Sequence, residues 1–450
     1  MHVFNFREKT LVLDPVTGSL FSVDKLAGEI IRDWGKFSPE ELKERLGASF
    51  SPGAIDEALA EVKALCDEGL LDVALPAEPK RLEDVPQIKA LCLHVAHDCN
   101  LRCRYCFAAT GNFGGGRSLL DVATGKAAID FLLRSSGSRK HLEVDFFGGE
   151  PLLNFAVVKA LVDYGRQEAQ RCGKIMRFTL TTNATLLGDA ETNFLNEHEI
   201  AVVLSLDGRA AVNDFMRPSA DDGGSYSLVS ENIQRFLQSR NSRNYYVRGT
   251  YTAHNLDFAK DVAHLYDLGL REISLEPVVG GVGGDYALTE EHMQTLCREY
   301  ERLTDYYLEK LEGGEPFNFF HFNLSTYDGP CFGKRIIGCG AGWDYVAVTP
   351  EGSIYPCHQF VGDERFKIGT VQEGIENFNL ARELAQANLY RKPDCLACWA
   401  KLFCSGGCHA TAFHSHGSFL KPDALACTLQ KKRIECALGI AATKMASCKQ

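Results

Sequence analysis

The stretch that decides the fold reads His97-Asp98-Cys99-Asn100-Leu101-Arg102-Cys103-Arg104-Tyr105-Cys106-Phe107. Its three thiols stand at C-x3-C-x2-C spacing, which suits a metal cluster. A [4Fe–4S] cluster has four irons that each need a terminal ligand, so three cysteines leave one iron open to a small chelating molecule. The alternatives are buried free cysteines, or a zinc site completed by His94 or His97. A predicted strand before the stretch and a predicted helical segment after it favour the cluster.

The same spacing, with the aromatic Tyr105 directly before the last cysteine, resembles the signature of the radical S-adenosylmethionine enzymes. The resemblance implies that Cys99, Cys103 and Cys106 hold a catalytic [4Fe–4S] cluster. Its open iron would bind the amino and carboxylate groups of S-adenosylmethionine. An electron from the cluster would then cleave the sulfonium and give a 5′-deoxyadenosyl radical, which abstracts a hydrogen atom from substrate.

Length and composition indicate a soluble protein of two or three domains, since the chain has 450 residues, 45% of them hydrophobic and 24% charged. No apolar run approaches the roughly 20 residues that span a bilayer, and no signal peptide is evident, so we expect a cytoplasmic protein. In that compartment 17 cysteines indicate cluster ligands rather than disulfides. The net charge of −11 argues against a nucleic-acid partner.

Residues 1–75 form a predicted unit of three short strands followed by three helices, a winged-helix-like order. The strands are predicted at 3–6, 10–14 and 19–23, and Ser38 and Ser51 are candidate helix caps. Residues 1–80 carry nine Lys and Arg against fifteen Asp and Glu, a local charge of −6, which disfavours DNA binding. An acidic unit of this shape suits a peptide added as an extra strand. It is similar to the leader-peptide recognition domains of peptide-modifying enzymes; a structural cap is the alternative.

After a linker at 76–87, strands and helices alternate over 88–278, which predicts an α/β fold with a parallel sheet. Strands are predicted at 88–95, 142–147, 175–181, 200–206, 245–252 and 272–275. Helices are predicted at 119–133, 155–171, 228–238 and 258–268. Six such units match the partial (β/α)6 TIM-type barrel of the radical family. A bridging region at 279–330 and a C-terminal iron–sulfur domain at 331–450 complete the predicted architecture.

The end of the second predicted strand carries Gly148-Gly149-Glu150, at a position where function gathers in parallel sheets. Two glycines let a ligand approach the backbone closely, and a carboxylate can accept from an ammonium group. The triplet resembles the family's motif for the methionine amino group. A simple turn is the alternative.

Polar residues also end the third and fourth predicted strands. Asn183 follows Thr181-Thr182, and Ser205 precedes Leu206-Asp207-Gly208, so both are candidates to contact a ribose. Arg217 follows at a spacing that the family also uses, and its guanidinium suits the methionine carboxylate. Each residue by itself could be structural; their order at strand ends favours cofactor binding.

The C-terminal third contains seven cysteines at C-x12-G-x4-C, C-x2-C-x5-C-x3-C and final C spacing. The pattern resembles the SPASM extension, which holds two auxiliary [4Fe–4S] clusters. The resemblance implies one complete ligand set and one set of three. The complete set is Cys395, Cys398, Cys404 and Cys427. The set of three is Cys339, Cys357 and Cys408, to which either Cys331 or a substrate thiolate would add the fourth ligand. Zinc is the alternative, although seven ligands do not divide into two sites of four.

Together these features resemble thioether-forming peptide maturases, particularly those of small cysteine-rich (SCIFF-type) precursors. The resemblance implies a cysteine-rich precursor peptide whose leader binds residues 1–75, three [4Fe–4S] clusters, S-adenosylmethionine, and an external donor such as flavodoxin or ferredoxin. His358 follows Cys357 where protein-oxidising relatives carry an acidic residue, which disfavours formylglycine-type oxidation. The alternatives are an enzyme for formylglycine-type oxidation, an enzyme that forms a carbon–carbon crosslink, an electron-transfer protein, and a non-catalytic zinc-stabilised regulator.

Overall fold

A computed structural model describes residues 1–79, 85–279, 284–324 and 332–447. The N-terminal unit has an antiparallel sheet of β1 (His2–Phe6), β2 (Lys9–Leu13) and β3 (Leu20–Val23), in that order. Three helices follow: α1 (Lys25–Asp33), α2 (Pro39–Leu46) and α3 (Pro52–Asp67). The predicted elements are confirmed within one or two residues.

The helix starts of this unit are capped as the sequence predicts. Ser38 accepts a hydrogen bond from the backbone N–H of Glu41, whose side chain returns to the Ser38 backbone, and Ser51 accepts from Ala54. Apolar side chains from all three helices form a separate core with the sheet, including Ile30, Leu42 and Ile55. The unit therefore has its own hydrophobic core.

Six parallel strands form the middle of a second, eleven-stranded sheet. They are β4 (Ala90–Ala96), β5 (His141–Gly148), β6 (Ile175–Thr182), β7 (Ala201–Ser205), β8 (Tyr245–Tyr251) and β9 (Glu272–Pro277). The intervening helices are α4 (Val122–Ser135), α5 (Phe155–Arg171), α6 (Asp189–Glu197), α7 (Ala210–Met216), α8 (Tyr226–Ser239) and α9 (Ala259–Asp267). The α/β class and the six strand–helix units are confirmed, whereas α6 and α7 were not predicted.

The parallel sheet is wider than six strands. After α10 (Glu290–Glu312), the short β10 (Asn318–Phe319) pairs parallel with β9. At the other edge β11 (Tyr345–Val348) pairs parallel with β4, in the register Val346 to Leu91. The expectation of six strands was therefore short by two. The partner of β4 comes from the predicted iron–sulfur domain, so backbone hydrogen bonds join that domain to the barrel.

The rest of the chain extends the sheet and covers it with helices. Strands β12 (Ser353–Tyr355), β13 (Gly369–Thr370) and β14 (Gly374–Ile375) continue antiparallel from β11. The helices are α11 (Phe332–Ile337), α12 (Phe378–Gln386), α13 (Pro393–Leu396), α14 (Lys401–Cys404), α15 (His409–His416) and α16 (Ala424–Ser447). No helix in the described ranges is long and apolar enough to cross a membrane.

The N-terminal sheet docks on the C-terminal region. Phe4, Leu11 and Leu13 share a hydrophobic cluster with Ile434 and Leu438 of α16. Burial of such side chains contributes about 1.5–3 kcal/mol each relative to exposure. The two units, separated by most of the chain, are therefore packed against each other.

Candidate radical site and auxiliary cysteine sites

A cavity of about 200 Å³ opens at the carboxyl ends of the parallel strands. Nine of the ten predicted residues of the catalytic cysteines and the cofactor contacts line it: Cys99, Cys103, Tyr105, Cys106, Gly148, Gly149, Asn183, Ser205 and Arg217. They come from the loop after β4 and from the ends of β5, β6 and β7, and from the residue after α7. Strand ends that meet at one edge of a sheet bring these distant residues together.

The cysteine loop is held at its first thiol by the end of β6. The Asn183 amide nitrogen lies 3.7 Å from Cys99 Sγ and donates to Asn100 Oδ1 at 2.9 Å. Burial raises the pKa of Cys99 to about 11 and that of Cys103 to about 12. Thiolates at such positions need a positive partner, which coordinated iron supplies because it deprotonates a ligating thiol.

Two glycines allow the end of β5 to approach the cysteine loop. Gly148 has a φ of +128°, and a Cβ there would lie 2.2 Å from the Ala96 carbonyl oxygen. A Cβ at Gly149 would lie 2.1 Å from the Asp98 carbonyl oxygen. Any other residue would push the two backbones apart. The glycine pair therefore sets the depth of the cavity beside the cysteines.

Arg217 is held by a buried network at the cavity wall. Its Nη2 lies 3.1 Å from Asp207 Oδ1, and Tyr105 Oη donates to Asp207 Oδ2 at 2.6 Å. The Arg217 side chain is only 12% exposed, and its Nε is buried without a hydrogen-bond partner. Because a buried donor without a partner is costly, this guanidinium fits an anionic group of a ligand.

Glu150 occupies a different place from the other predicted contacts. Its carboxylate is fully buried and accepts from Thr182 Oγ1 at 2.8 Å and from the Asn183 and Leu152 N–H groups at 2.7 and 3.0 Å. Burial raises its pKa to about 7. It ties β5 to the end of β6 and is not among the described residues that line the cavity. Its contact with an ammonium group stays a prediction.

The far wall of the cavity contains residues that the sequence did not single out. Arg248 of β8 donates to Glu276 of β9 at 2.7 Å, and both side chains line the cavity. Burial by itself would raise the pKa of Glu276, but the Arg248 guanidinium holds it below its usual range. His358 also lines the cavity, and burial lowers its pKa to about 4. The sequence did contain a signal for the Arg248–Glu276 pair, namely one charged residue inside each of two adjacent strands.

The C-terminal cysteines form two groups in the structure. Thiol charges at Cys404, Cys395 and Cys398 each raise the pKa of Cys427, so these four lie close together, and burial brings that pKa to about 11. They come from α13, α14 and α16 and the turn between α13 and α14. This is the grouping that the resemblance implies for a complete ligand set.

The second group contains Cys339, Cys357 and Cys408. Burial raises the pKa of Cys357, and the nearby thiols of Cys339 and Cys408 raise it further. Cys331, the candidate fourth ligand, lies outside the described residues. Among those that are described, no three His, Cys, Asp or Glu side chains converge tightly enough for a single metal ion. A [4Fe–4S] cluster is a larger body with a ligand at each iron, so its cysteines stand farther apart than the ligands of zinc.

Comparison with known proteins identifies the family. A model of a 4Fe-4S single cluster domain matches residues 89–226, and the SPASM iron-sulfur cluster-binding domain matches 339–399. The radical SAM cyclopropyl synthase TigE of Paramaledivibacter caminithermalis is 22% identical over 369 residues, covering 78% of this chain and 74% of TigE. These findings support a radical S-adenosylmethionine protein with a SPASM domain, homologous to TigE. The two matched domains imply [4Fe–4S] clusters.

Other relatives of this radical S-adenosylmethionine family member match over different lengths. An uncharacterised protein of Methanocaldococcus jannaschii is 32% identical over 193 residues, 43% of this chain. The match spans 63% of that relative, less than two thirds of its length. The serine-type anaerobic sulfatase-maturating enzyme of Klebsiella aerogenes is 24% identical over 358 residues, 75% of this chain and 83% of that enzyme.

Two solved structures share the fold. The sulfatase-maturating enzyme anSMEcpe with bound AdoMet superposes with a TM-score of 0.66 at 20% identity, over 79% of this chain and 99% of that one. SuiB of Streptococcus suis bound to the precursor peptide SuiA superposes with a TM-score of 0.54 at 16% identity, over 94% and 99%. Their likeness to this chain confirms the predicted mixed α/β fold with a large parallel sheet.

Proposed function

We propose that the protein is a peptide maturase that joins a cysteine sulfur to a carbon of an acceptor residue within one ribosomally made precursor. The observation that carries the proposal is the union of three parts in one packed chain. These are a strand-edge unit at 1–75, a cavity that fits S-adenosylmethionine, and two cysteine groups behind it. Peptide modification is supported by relatives named as sulfatase-maturating enzymes and as a cyclopropyl synthase.

The N-terminal unit is the proposed site of leader capture. Within the described sheet, β1 and β3 each have a strand partner on one side only, so each offers an edge for an added strand. SuiB, solved with its precursor peptide, covers 94% of this chain, whereas anSMEcpe covers 79%. Because anSMEcpe was also solved with the Cp18Cys peptide, two structures of this fold with bound peptides support a peptide partner.

The residues of the cavity have distinct proposed roles toward the cofactors. Cys99, Cys103 and Cys106 would hold the catalytic cluster, and Arg217 would hold the carboxylate of S-adenosylmethionine. When bound, the clusters and S-adenosylmethionine supply one-electron chemistry: removal of a hydrogen atom from the acceptor carbon, and an acceptor for the electron left over as the carbon–sulfur bond forms. Asn183 secures the cysteine loop from behind.

The chain itself must accept the proton that the substrate thiol loses. Glu276 is the one carboxylate among the described residues that line the cavity, and the Arg248 guanidinium holds it ionised. A carboxylate that faces the substrate can take a proton at Oε1 or Oε2 and becomes neutral by doing so. His358 would instead gain a positive charge on a buried imidazole, whose pKa burial lowers to about 4. Glu276 is therefore the proposed proton acceptor.

Oxidation of a serine or cysteine side chain to formylglycine is the second candidate, because sulfatase-maturating enzymes are among the relatives. The neutral His358, in the place where protein-oxidising relatives carry an acidic residue, speaks against it. Mass and thiol count together separate the reactions. A thioether costs the peptide two hydrogens and one thiol, whereas formylglycine from serine costs two hydrogens and no thiol, and formylglycine from cysteine costs one thiol and exchanges sulfur for oxygen.

Mass spectrometry after thiol alkylation tests the proposal. The precursor would be a short cysteine-rich reading frame beside this gene, incubated anaerobically with reconstituted enzyme, reductant and S-adenosylmethionine. We expect a loss of 2 hydrogens and one fewer alkylated cysteine per crosslink. Loss of two hydrogens with every cysteine still alkylated and no aldehyde formed would replace the thioether by a carbon–carbon crosslink. Formation of an aldehyde would favour the second candidate.

A further inference from the structure

Lys392 is buried in a way that no other cation of the described chain is. Lys392 is 1% exposed, and it is the one buried lysine or arginine among the described residues. It lies immediately before α13, three residues ahead of Cys395. Burial lowers the pKa of its ammonium group, so the charged form depends on negative charge nearby.

The ammonium group lies between the two cysteine groups. Its Nζ donates to the Gly406 carbonyl oxygen at 2.8 Å, and Gly406 belongs to the loop that joins Cys404 to Cys408. An ammonium has three N–H donors, so this bond uses only one of them. The groups that act on its charge come from both sites: Cys395 and Cys404 of the four-cysteine group, and Cys408 and Cys339 of the three-cysteine group.

No carboxylate in the described ranges forms an ion pair with Lys392. The groups that face it are those four cysteines and His409, whose pKa Lys392 helps to lower. Neutral thiols would leave the cation uncompensated. Thiolates that hold iron–sulfur clusters would compensate it, because each cluster with its ligands carries negative charge. The burial of Lys392 is thus explained by two anionic groups, one on either side.

Two other cations act on the four-cysteine group: Arg433 acts on Cys404, and Lys431 acts on Cys427. Lys392 acts on members of both groups. A positive charge beside a cluster stabilises the reduced form and raises its reduction potential.

We propose that Lys392 is a positioning cation shared by the two auxiliary clusters, which it holds at raised reduction potentials by charge and hydrogen bonding. The inference rests on the proposed function only in assuming that both cysteine groups hold clusters. It assigns a role to a residue between two sites rather than a ligand to either.

Redox titration of the reconstituted full-length protein, followed by electron paramagnetic resonance, tests the role. Cys99, Cys103 and Cys106 are replaced by alanine in every sample, so that the signals come from the auxiliary sites alone. Lys392→Met removes the charge at similar length, and Lys392→Arg restores it. We expect Lys392→Met to shift the potentials of both clusters to more negative values, and Lys392→Arg to shift them less.

Lys401 supplies the matched control. It belongs to α14, between Cys398 and Cys404, and its Nζ donates to the Leu396 carbonyl oxygen at 2.8 Å, but it is not buried. Lys401→Met should therefore leave both potentials unchanged. A shift as large as that of Lys392→Met would overturn the special role of Lys392.

Iron and sulfide analysis separates the possible outcomes. If Lys392→Met holds both clusters and their reduction potentials are unchanged, or only one of them shifts, the shared role is overturned. If Lys392→Met fails to load clusters but Lys392→Arg loads both, the charge is required and the inference stands. If neither Lys392→Met nor Lys392→Arg loads the clusters, Lys392 is a packing residue and the inference is overturned. Too little iron for two clusters in the parent protein would instead refute the proposed function.

Discussion

The radical site and the auxiliary region use the same ligand, cysteine, on different kinds of structure. Cys99, Cys103 and Cys106 line a cavity at strand ends, beside Arg217 and Glu276. The auxiliary cysteines lie on helices and loops, and Cys398 and Cys404 pack against the cluster of apolar residues that joins the N-terminal sheet to α16. Ligand type therefore does not decide what a site does. Charged side chains at the strand ends suit one site to chemistry, and the buried Lys392 beside the other suits it to holding electrons.

The largest effect should follow from breaking the open site alone. Cys103→Ala removes one of three ligands, so we expect no measurable 5′-deoxyadenosine from S-adenosylmethionine and iron reduced by one cluster. Cys172→Ala, at an exposed cysteine, is the control and should behave as the parent. Unchanged cleavage in Cys103→Ala would refute the assignment of the catalytic cluster.

Glu276→Gln should separate cofactor cleavage from peptide crosslinking. Loss of a proton acceptor typically lowers a rate by about 10²- to 10⁴-fold. We expect thioether formation to fall by that order while 5′-deoxyadenosine still forms. Glu272→Gln, at the other end of β9, is the matched control. Normal crosslinking by Glu276→Gln would assign the proton to another group.

Gly149→Ala tests the close approach that shapes the open site. The added Cβ would lie 2.1 Å from the Asp98 carbonyl oxygen, so the cysteine loop must move. We expect a loss of about 1–3 kcal/mol of stability and less iron at this site, measured by thermal unfolding and iron analysis. Gly116 lies in the cysteine loop itself, and a Cβ added there would meet no atom within 4 Å. Gly116→Ala should therefore have little effect. Equal effects of the two changes would contradict the role of Gly149.

Arg217→Lys tests recognition of the cofactor carboxylate. Lysine keeps the charge and its pairing with Asp207 but lacks the planar fork of donors. We expect about tenfold weaker binding of S-adenosylmethionine, or ~1.4 kcal/mol, by equilibrium dialysis. Arg104→Lys, whose Nε donates to the Phe215 carbonyl oxygen, serves as the control. Weakening by both variants alike would point to a general charge effect.

The smallest effect concerns His321, between the two regions. Burial, with Arg433 nearby, lowers its pKa to about 3, against 6.5 when unfolded. The unfolded chain then binds the proton first, so stability falls as pH drops below 6.5. Between pH 7.5 and 6.0 the loss is about 0.8 kcal/mol. Between pH 7.5 and 6.0 the melting temperature of His321→Gln should fall less than that of the parent. An equal fall would show that other groups are responsible.

The sequence was most informative where chemistry depends on local spacing. Cysteine intervals, the glycine pair and the strand-end Asn183, Ser205 and Arg217 predicted the cavity lining. Lys392 gave no local signal, because its importance comes from cysteines on several elements. The Arg248–Glu276 pair depends likewise on the register of two strands, and Glu150 turned inward because backbone N–H groups compete for its carboxylate.

The pairing of β11 with β4 joins the C-terminal region to the parallel sheet by main-chain hydrogen bonds, with no hinge between the two strands. The loop that follows β4 holds Cys99, and β12, next to β11, leads to Cys357. Main-chain hydrogen bonds across adjacent strands keep their spacing at about 4.8 Å. The separation between the loop that holds Cys99 and the turn that holds Cys357 is therefore set by main-chain hydrogen bonds and not by side-chain packing alone.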